Sequence, residues 1–126
     1  MPLDIVHTES APAAIGPYSQ AIICEGRIYT SGQIPIGCDG QLVTGGVEAQ
    51  THQVFANLKA VLAEGSSSLN QVIKTTVFVK DLNDFQAINE IYASYFGSHA
   101  PARSTVQVAA LPLGSLIEIE AIASIR

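Results

Sequence analysis

The last segment of the chain alternates between two kinds of side chain, and this period of two constrains the fold most strongly. The odd-numbered positions hold Ile117, Ile119, Ala121, Ala123 and Ile125. The even-numbered positions hold Leu116, Glu118, Glu120, Ile122 and Ser124. Because successive side chains of a strand point to opposite faces, we expect the first set to face the helices. The second set mixes aliphatic side chains with carboxylates, as expected where a subunit interface holds a polar pocket.

The first half of the chain predicts three strands and a helix. Residues 3–7 form a plausible first strand, and residues 19–32 contain two short strands joined by a turn at residues 25–26. Apolar residues then recur at helical spacing from residue 47 to residue 64, and Gly65 ends this helix.

The second half predicts a long strand, a helix and two further strands. The stretch 71–80 alternates, and one face of this strand is expected to hold Ile73, Thr75, Val77 and Val79. The “DLND” segment supplies cap residues for a second helix, which ends at Gly97. One stripe of that helix holds Phe85, Ile88, Tyr92, Tyr95 and Phe96. The last two strands are joined around Pro112 and Gly114.

The predicted order is therefore three strands, a helix, a strand, a helix and two strands, in one domain spanning residues 1–126. One mostly antiparallel sheet with both helices on one face accommodates this order as a two-layer α+β sandwich. Such a sheet leaves its second face either wetted by solvent or covered by other subunits. Only 13% of the residues are charged, whereas about 25–35% is usual for a surface. This low fraction favours an oligomer over a monomer.

Charge and composition argue against several classes of function. The formal net charge is −5 and no basic run occurs, so binding to nucleic acid is not expected. No signal-peptide pattern and no apolar run of membrane-spanning length occur, and the two cysteines fit a reducing compartment, which predicts a cytoplasmic protein. The cysteines and the three histidines lack metal-ligand spacing, and no phosphate-binding or dinucleotide-binding motif occurs. We therefore expect neither a metal nor a cofactor.

The last two strands bring charged residues together if they form an antiparallel hairpin. With a turn near residues 111–114, Arg103 and Thr105 share a face with Glu118 and Glu120. One interpretation is a solvated ion pair, which contributes about a few tenths of a kcal/mol. The other is a site in which the guanidinium grips a substrate carboxylate and a partly desolvated glutamate moves protons. Spacing alone selects neither the interpretation nor the glutamate.

Three other short segments have two interpretations each. Residues 11–20 form a stiff loop that holds Tyr18 in place, either to pack at a strand start or to contact a ligand. Ser31 and Gly32 end a strand, where a glycine lets a ligand approach the backbone but where an ordinary turn is also common. Asn89 follows a buried position of the second helix and is expected to be exposed.

Several motifs, taken together and in order, resemble those of a known family. They are “APAAIGPYSQA”, “TSGQIP”, “VIKTTVFVKDLNDFQAIN”, “PARSTVQVAALP” and “IEIEAIA”. These segments span nearly the whole chain and resemble the Rid family, also called the YjgF family, in its RidA-type subgroup. The resemblance implies a chorismate-mutase-like α+β domain that assembles as a homotrimer with three clefts between subunits. It also implies cofactor-independent hydrolysis of 2-aminoacrylate-type enamines and 2-imino acids to 2-oxo acids and ammonia.

The resemblance also implies roles for individual residues. Arg103 of “PARS” matches the arginine that binds the substrate carboxylate, and Glu118 of “IEIE” matches the glutamate near the attacking water. Tyr18 of “GPYSQ” matches the tyrosine that closes the pocket from a neighbouring subunit. The positions that contact the substrate correspond to Ser31, Gly32, Asn89 and Thr105. Many RidA-type members have a cysteine where this chain has Thr105, which suggests an altered substrate preference.

Two other functions remain open at this point. The same cleft serves equally well as a binding module that holds small carboxylates, such as 2-oxo acids, without turnover. RNA cleavage is also attributed to this family, but the net charge of −5 argues against it.

Overall fold

A computed structural model describes residues 2–125 of the chain. The strands are β1 (Asp4–Val6), β2 (Ala21–Cys24), β3 (Arg27–Thr30), β4 (Val72–Val79), β5 (Ala102–Gln107) and β6 (Ile117–Ser124). The helices are α1 (Gly46–Glu64) and α2 (Phe85–Phe96), and short 3₁₀ turns cover Leu69–Gln71, Leu82–Asp84 and Pro112–Gly114. The predicted order of strands and helices is confirmed.

The six strands form one sheet in the spatial order β1-β2-β3-β6-β4-β5. The β4–β5 pair is parallel and the other four pairs are antiparallel, so the predicted mostly antiparallel sheet is confirmed. The turn between β2 and β3 is the predicted one, with φ angles of 52° at Glu25 and 77° at Gly26. Two successive positive φ angles match the twist of the flanking strands.

Both helices bury their apolar side chains against the same face of the sheet. The buried residues of α1 include Val54, Phe55, Leu58, Val61 and Leu62. Those of α2 are Ile88, Tyr92 and Phe96. Gly65 follows α1, as predicted, and a methyl group there would overlap the side chain of Ile28 on β3. A glycine at this position therefore lets the end of α1 approach the sheet closely.

The alternation of β6 has the predicted consequence. Ile117, Ile119 and Ala123 are 0% exposed, whereas Glu118 and Glu120 are half-buried on the other face.

The prediction for β4 is wrong at one position. The register shifts between Val72 and Lys74, so the intervening Ile73 is 44% exposed and Val72 takes its place in the core. Thr75, Val77 and Val79 are buried as predicted.

The predicted hairpin of the last two strands is wrong, because β4 lies between β5 and β6. Thr75 of β4 faces α2, and its register partners are Arg103 on one side and Ala121 on the other. Phe78, which is three residues further along β4, points to the opposite face, and its register partners are Val106 and Glu118. Arg103 therefore points to the helix side of the sheet and Glu118 to the opposite side.

We call the face opposite the helices the open face. Its side chains include Ile5, Ile22, Tyr29, Ile122, Phe78, Val106, Glu118 and Glu120. Several of them are large, apolar and exposed, notably Ile5 at 71%, Tyr29 at 42% and Val106 at 42%. A face of this composition is typical of a surface that another chain covers.

Among residues 2–125, no helix combines the length and the apolar character needed to cross a membrane.

Candidate active site

Arg103 extends from the edge strand β5 toward α2 and is held there by side chains of that helix. Its Nη1 donates a hydrogen bond to Oδ1 of Asn89 at 2.7 Å. Its guanidinium carbon lies 4.7 Å from the ring centroid of Tyr92 and 5.3 Å from that of Phe85. Because positions 85, 89 and 92 are four and three residues apart, they share one face of α2. We call Arg103, Asn89, Thr105, Phe85 and Tyr92 the arginine cluster.

Open space borders Arg103 on both sides. One pocket of about 400 Å³ includes Arg103, Tyr92 and Ala100. A second pocket of about 420 Å³ includes Arg103, Phe85 and Thr105. Both volumes suffice for a small carboxylic acid, so a ligand can reach the guanidinium from either side.

Tyr92 is fixed on the core side of the arginine cluster. Its hydroxyl lies 2.7 Å from Oγ1 of the buried Thr75, and Tyr92 itself is only 8% exposed. Burial raises the pKa of Tyr92 above its ordinary value, although the hydrogen bond with Thr75 and the charge of Arg103 oppose the rise. The ring that faces Arg103 is therefore uncharged at neutral pH.

Thr105 has a buried hydroxyl without a hydrogen-bond partner among the described residues. Its register partner Val77 is fully buried, so the side chain lies on the helix side of the sheet. A buried hydroxyl left unpaired costs about 1–3 kcal/mol. The unpaired Thr105 hydroxyl therefore does not stabilise the single chain, and it lies beside a pocket.

Glu118 lies on the open face, where residues 31–33 run beside β6. The backbone N–H of Gln33 donates to the carbonyl of Ile119 at 2.8 Å, and the N–H of Ile119 donates back at 3.2 Å. This pairing brings Gly32 against Glu118, and a methyl group on Gly32 would overlap the Glu118 carboxylate. The absence of a side chain at Gly32 therefore sets the position of the carboxylate.

Hydrogen bonds hold the loop that carries Tyr18 next to Ser31 and Gly32. Ser31 Oγ donates to the carbonyl of Ser19 at 2.6 Å, and the Ser31 N–H donates to the carbonyl of Gln20 at 2.9 Å. Tyr18 is 54% exposed and lines, together with Gly32, a pocket of about 50 Å³. We call Tyr18, Ser31, Gly32 and Glu118 the glutamate cluster.

The charge of Glu118 is disfavoured by its surroundings. Partial burial raises the pKa of Glu118 above its ordinary value, and the negative charge of Glu120 raises it further. A carboxylate whose pKa moves toward neutrality is better suited to exchange protons with water.

The structure brings the predicted residues together in two groups rather than one. The arginine cluster occupies the helix side of the sheet and the glutamate cluster the open face, so the predicted side-by-side arrangement of Arg103 and Glu118 is wrong. Arg103 lies on β5 and Glu118 on β6, and these two strands are separated by β4, with about 5 Å between neighbouring strands. The prediction that Asn89 is merely exposed is also wrong, because Asn89 is half-buried and accepts the hydrogen bond of Arg103.

The sequence patterns missed several residues that support the two clusters. Phe85 and Tyr92 were expected only on the buried stripe of α2, although their spacing from Asn89 was a usable signal. Gln20 was not singled out, yet its Oε1 accepts from the N–H of Thr8 at 2.7 Å and its Nε2 donates to the carbonyl of Pro12 at 2.8 Å. Gln20 thereby holds the loop that leads to Tyr18.

Within residues 2–125, no group of three or more metal-ligating side chains is close enough together to hold a metal ion.

Comparison with known proteins gives the family. A family model described as Endoribonuclease L-PSP, the Rid or YjgF family, matches residues 8–125. The chain belongs to the Rid family. Its predicted membership is thus confirmed.

Individual Rid relatives are similar over almost the whole chain. A human 2-iminobutanoate/2-iminopropanoate deaminase is 50% identical over 120 residues, which cover 94% of this chain and 88% of the relative. The crystal structure of the yeast protein YEO7 has a TM-score of 0.97 at 48% identity, covering 99% of this chain and 100% of the yeast chain. E. coli TdcF, crystallised with bound serine, has a TM-score of 0.91 at 43% identity, covering 96% and 98% of the two chains.

Proposed function

We propose that this Rid protein hydrolyses 2-aminoacrylate-type enamines and 2-imino acids, such as 2-iminopropanoate and 2-iminobutanoate, to 2-oxo acids and ammonia. The observation that supports this most strongly is the environment of Arg103. Among residues 2–125, the groups that contact its guanidinium are an amide oxygen and two aromatic rings, all of them uncharged. A substrate carboxylate can therefore take the remaining N–H donors of the guanidinium in a bidentate pair.

The proposed active site lies between two copies of the chain, because one copy keeps its two clusters on opposite faces of the sheet. One copy contributes the arginine cluster, and a neighbouring copy contributes the glutamate cluster. A homotrimer with three equivalent clefts satisfies this arrangement, since each subunit then gives one cluster to each neighbour. The exposed apolar side chains of the open face and the low fraction of charged residues support such an assembly.

The proposed reaction adds water across the carbon–nitrogen double bond. An enamine first takes a proton on its terminal carbon and becomes the 2-iminium acid, whose C2 is electrophilic. The water oxygen forms a bond to C2, and a proton is transferred to the nitrogen. The C–N bond then breaks with its electron pair on nitrogen and the C2 hydroxyl releases its proton to solvent, so that ammonia leaves and the C2 carbonyl forms. The step consumes one water and involves no oxidation or reduction.

Glu118 is the acid–base group of the proposed mechanism. As a carboxylate it orients the water and accepts its proton, and it returns that proton to the departing nitrogen. A positioned acid–base group contributes about 10²–10⁴-fold to a rate. Tyr18 closes the cleft, and backbone groups near Ser31, Gly32 and Thr105 position the water and the imine nitrogen.

The test generates the imine in situ from serine or threonine with a dehydratase and follows the formation of pyruvate or 2-oxobutanoate. The protein is expected to accelerate this hydrolysis, and Arg103→Ala is expected to abolish the acceleration while light scattering finds the same oligomer. Arg27→Ala, which removes an exposed arginine outside both clusters, serves as the matched control. An Arg103→Ala variant as active as the parent would show that the site assignment is wrong.

A binding module without turnover is the second candidate, favoured by the relative that was crystallised with bound serine, which is not an imine. It predicts that calorimetry detects 2-oxobutanoate binding that depends on Arg103, whereas hydrolysis of the imine is not accelerated. RNA cleavage is named in the description of the matching family model, but the charge of this chain disfavours it. The chain has six Lys and Arg against eleven Asp and Glu, and any nuclease activity is expected to disappear on further purification.

A further inference from the structure

We infer that Phe85 and Tyr92 position Arg103 by holding its guanidinium against two aromatic rings, a role that neither ring was assigned by the sequence motifs. The inference rests on the proposed function, because Arg103 is the residue proposed to bind the substrate carboxylate. It makes the first turns of α2 part of the binding machinery, and Phe85 and Tyr92 its positioning residues.

The geometry of the contacts supports this role. The guanidinium carbon lies 4.7 Å from the Tyr92 centroid and 5.3 Å from the Phe85 centroid, both within the distance of about 6 Å at which a cation is attracted to a ring face. Asn89 lies between the two rings on the same helix face and accepts one hydrogen bond from Nη1. Three side chains of one helix thus restrain the position of Arg103.

The two rings differ in how firmly they are held. Tyr92 is anchored by its hydroxyl to Thr75 and packs against Phe96, with ring centroids 4.7 Å apart, and against Phe55, with centroids 5.7 Å apart. Phe85 is the first residue of α2 and is only half-buried. Tyr92 is therefore the fixed wall beside Arg103, and Phe85 is the wall that a substitution can remove without opening the core.

Aromatic partners have a consequence for binding that an acidic partner would not have. A carboxylate beside Arg103 would compete with the carboxylate of the substrate for the same N–H donors. Phe85 and Tyr92 restrict the side chain, yet they leave its full positive charge and most of its five donors to the ligand. The restriction reduces the conformational entropy that Arg103 loses when a ligand binds.

The first measurement is the dissociation constant of 2-oxobutanoate, determined by calorimetry on the assembled protein. Phe85→Leu is expected to weaken binding by about 3- to 30-fold, and to raise KM for the imine with little change in kcat. Phe85→Tyr keeps an aromatic ring at this position and is expected to bind 2-oxobutanoate with the affinity of the parent. Tyr95→Leu is the matched control, since Tyr95 is a half-buried aromatic residue of α2 that stacks on Phe55 and not on Arg103. Equal affinity of Phe85→Leu and the parent would overturn the inference.

The second measurement needs no ligand and separates this inference from the proposed function. The chain has only three arginines, so the side-chain Nε–H signal of Arg103 is assigned by its loss in Arg103→Lys. In the parent this signal is expected to be shifted by the ring currents of Phe85 and Tyr92, and in Phe85→Leu to move toward the value of a free arginine. If the parent binds no 2-oxo acid, the proposed function fails and this signal alone decides the inference. A signal that is identical in parent and Phe85→Leu overturns it.

Discussion

The arginine cluster and the glutamate cluster position their charged groups by different physical means. Arg103 is restrained by side chains of a helix whose packing against the sheet is part of the core. Glu118 is positioned by a missing side chain at Gly32 and by backbone hydrogen bonds of an adjacent loop. The first cluster is complete within one chain, between β5 and α2, whereas the second faces outward and contains no cation. Under the proposed function, each copy therefore has a formed anion-binding group but only half of the proposed catalytic site.

The strongest test concerns the proposed division of the site between two copies. Arg103→Ala and Glu118→Gln are each expected to abolish accelerated hydrolysis when prepared alone. If the two variants are unfolded together and refolded as a mixture, some clefts pair an intact arginine cluster with an intact glutamate cluster. Random assembly of equal amounts puts these two together in about a quarter of the clefts, so about a quarter of the parental rate is expected to return.

The control for this experiment is a mixture of the two variants that were refolded separately and then combined briefly. Activity is expected only in the co-refolded sample, with light scattering used to verify that both samples have the same oligomeric state. A co-refolded sample without any activity would contradict a site made by two copies.

The second effect tests how the glutamate cluster is built. In Gly32→Ala the added methyl group displaces the Glu118 carboxylate, and a displacement of about 1 Å costs about 10²-fold in rate. We expect kcat to fall by that order while the affinity for 2-oxobutanoate, which depends on Arg103, changes little. Gly37→Ala in the same loop is the control, since a methyl group there meets only the flexible side chain of Asp39. An unchanged kcat in Gly32→Ala would remove the role assigned to Gly32.

The third effect compares two threonines on the helix side of the sheet. Thr75→Val leaves the buried hydroxyl of Tyr92 without a partner and is expected to lower the free energy of unfolding by about 1–3 kcal/mol. Thr105→Val removes a buried hydroxyl that has no partner among the described residues, so it is expected to be neutral or to raise that free energy by up to about 1 kcal/mol. Urea denaturation monitored by circular dichroism measures both. A similar loss in both variants would mean that the assembled protein supplies a partner for the Thr105 hydroxyl.

The smallest effect is a shift in the pH dependence of activity. Glu118 acts as a carboxylate in the proposed mechanism, so activity rises as the pH increases through its pKa. The negative charge of Glu120 raises the pKa of Glu118, and Glu120→Gln removes that contribution. The acidic limb of the kcat/KM profile is therefore expected to move to lower pH. Glu64→Gln, which changes the net charge equally on the exposed end of α1, is expected to leave the limb in place.

Much of the fold was predictable because its signals are local. The turn at Glu25 and Gly26 and the end of α1 at Gly65 depend on residues adjacent in the chain. The predicted site residues were located by motifs, each of which is a short run of neighbours. The predicted side of the sheet for Arg103, shared with Glu118, was wrong. None of the six β5 residues is buried, so no apolar alternation distinguishes its two faces.

Periodicity in the sequence was enough to predict which residues share a face within β6 and where the helices lie, since a period of two or of 3.6 depends only on backbone geometry. The position of β4 between β5 and β6, in contrast, is seen only in the folded chain. Strand pairing is set by contacts between segments remote in sequence, and the nearest strand along the chain is not always the neighbour in space. The shift at Val72 and Lys74 belongs to the same class, because a bulge is set by the partner strand. These non-local contacts place Arg103 and Glu118 on opposite faces of one chain.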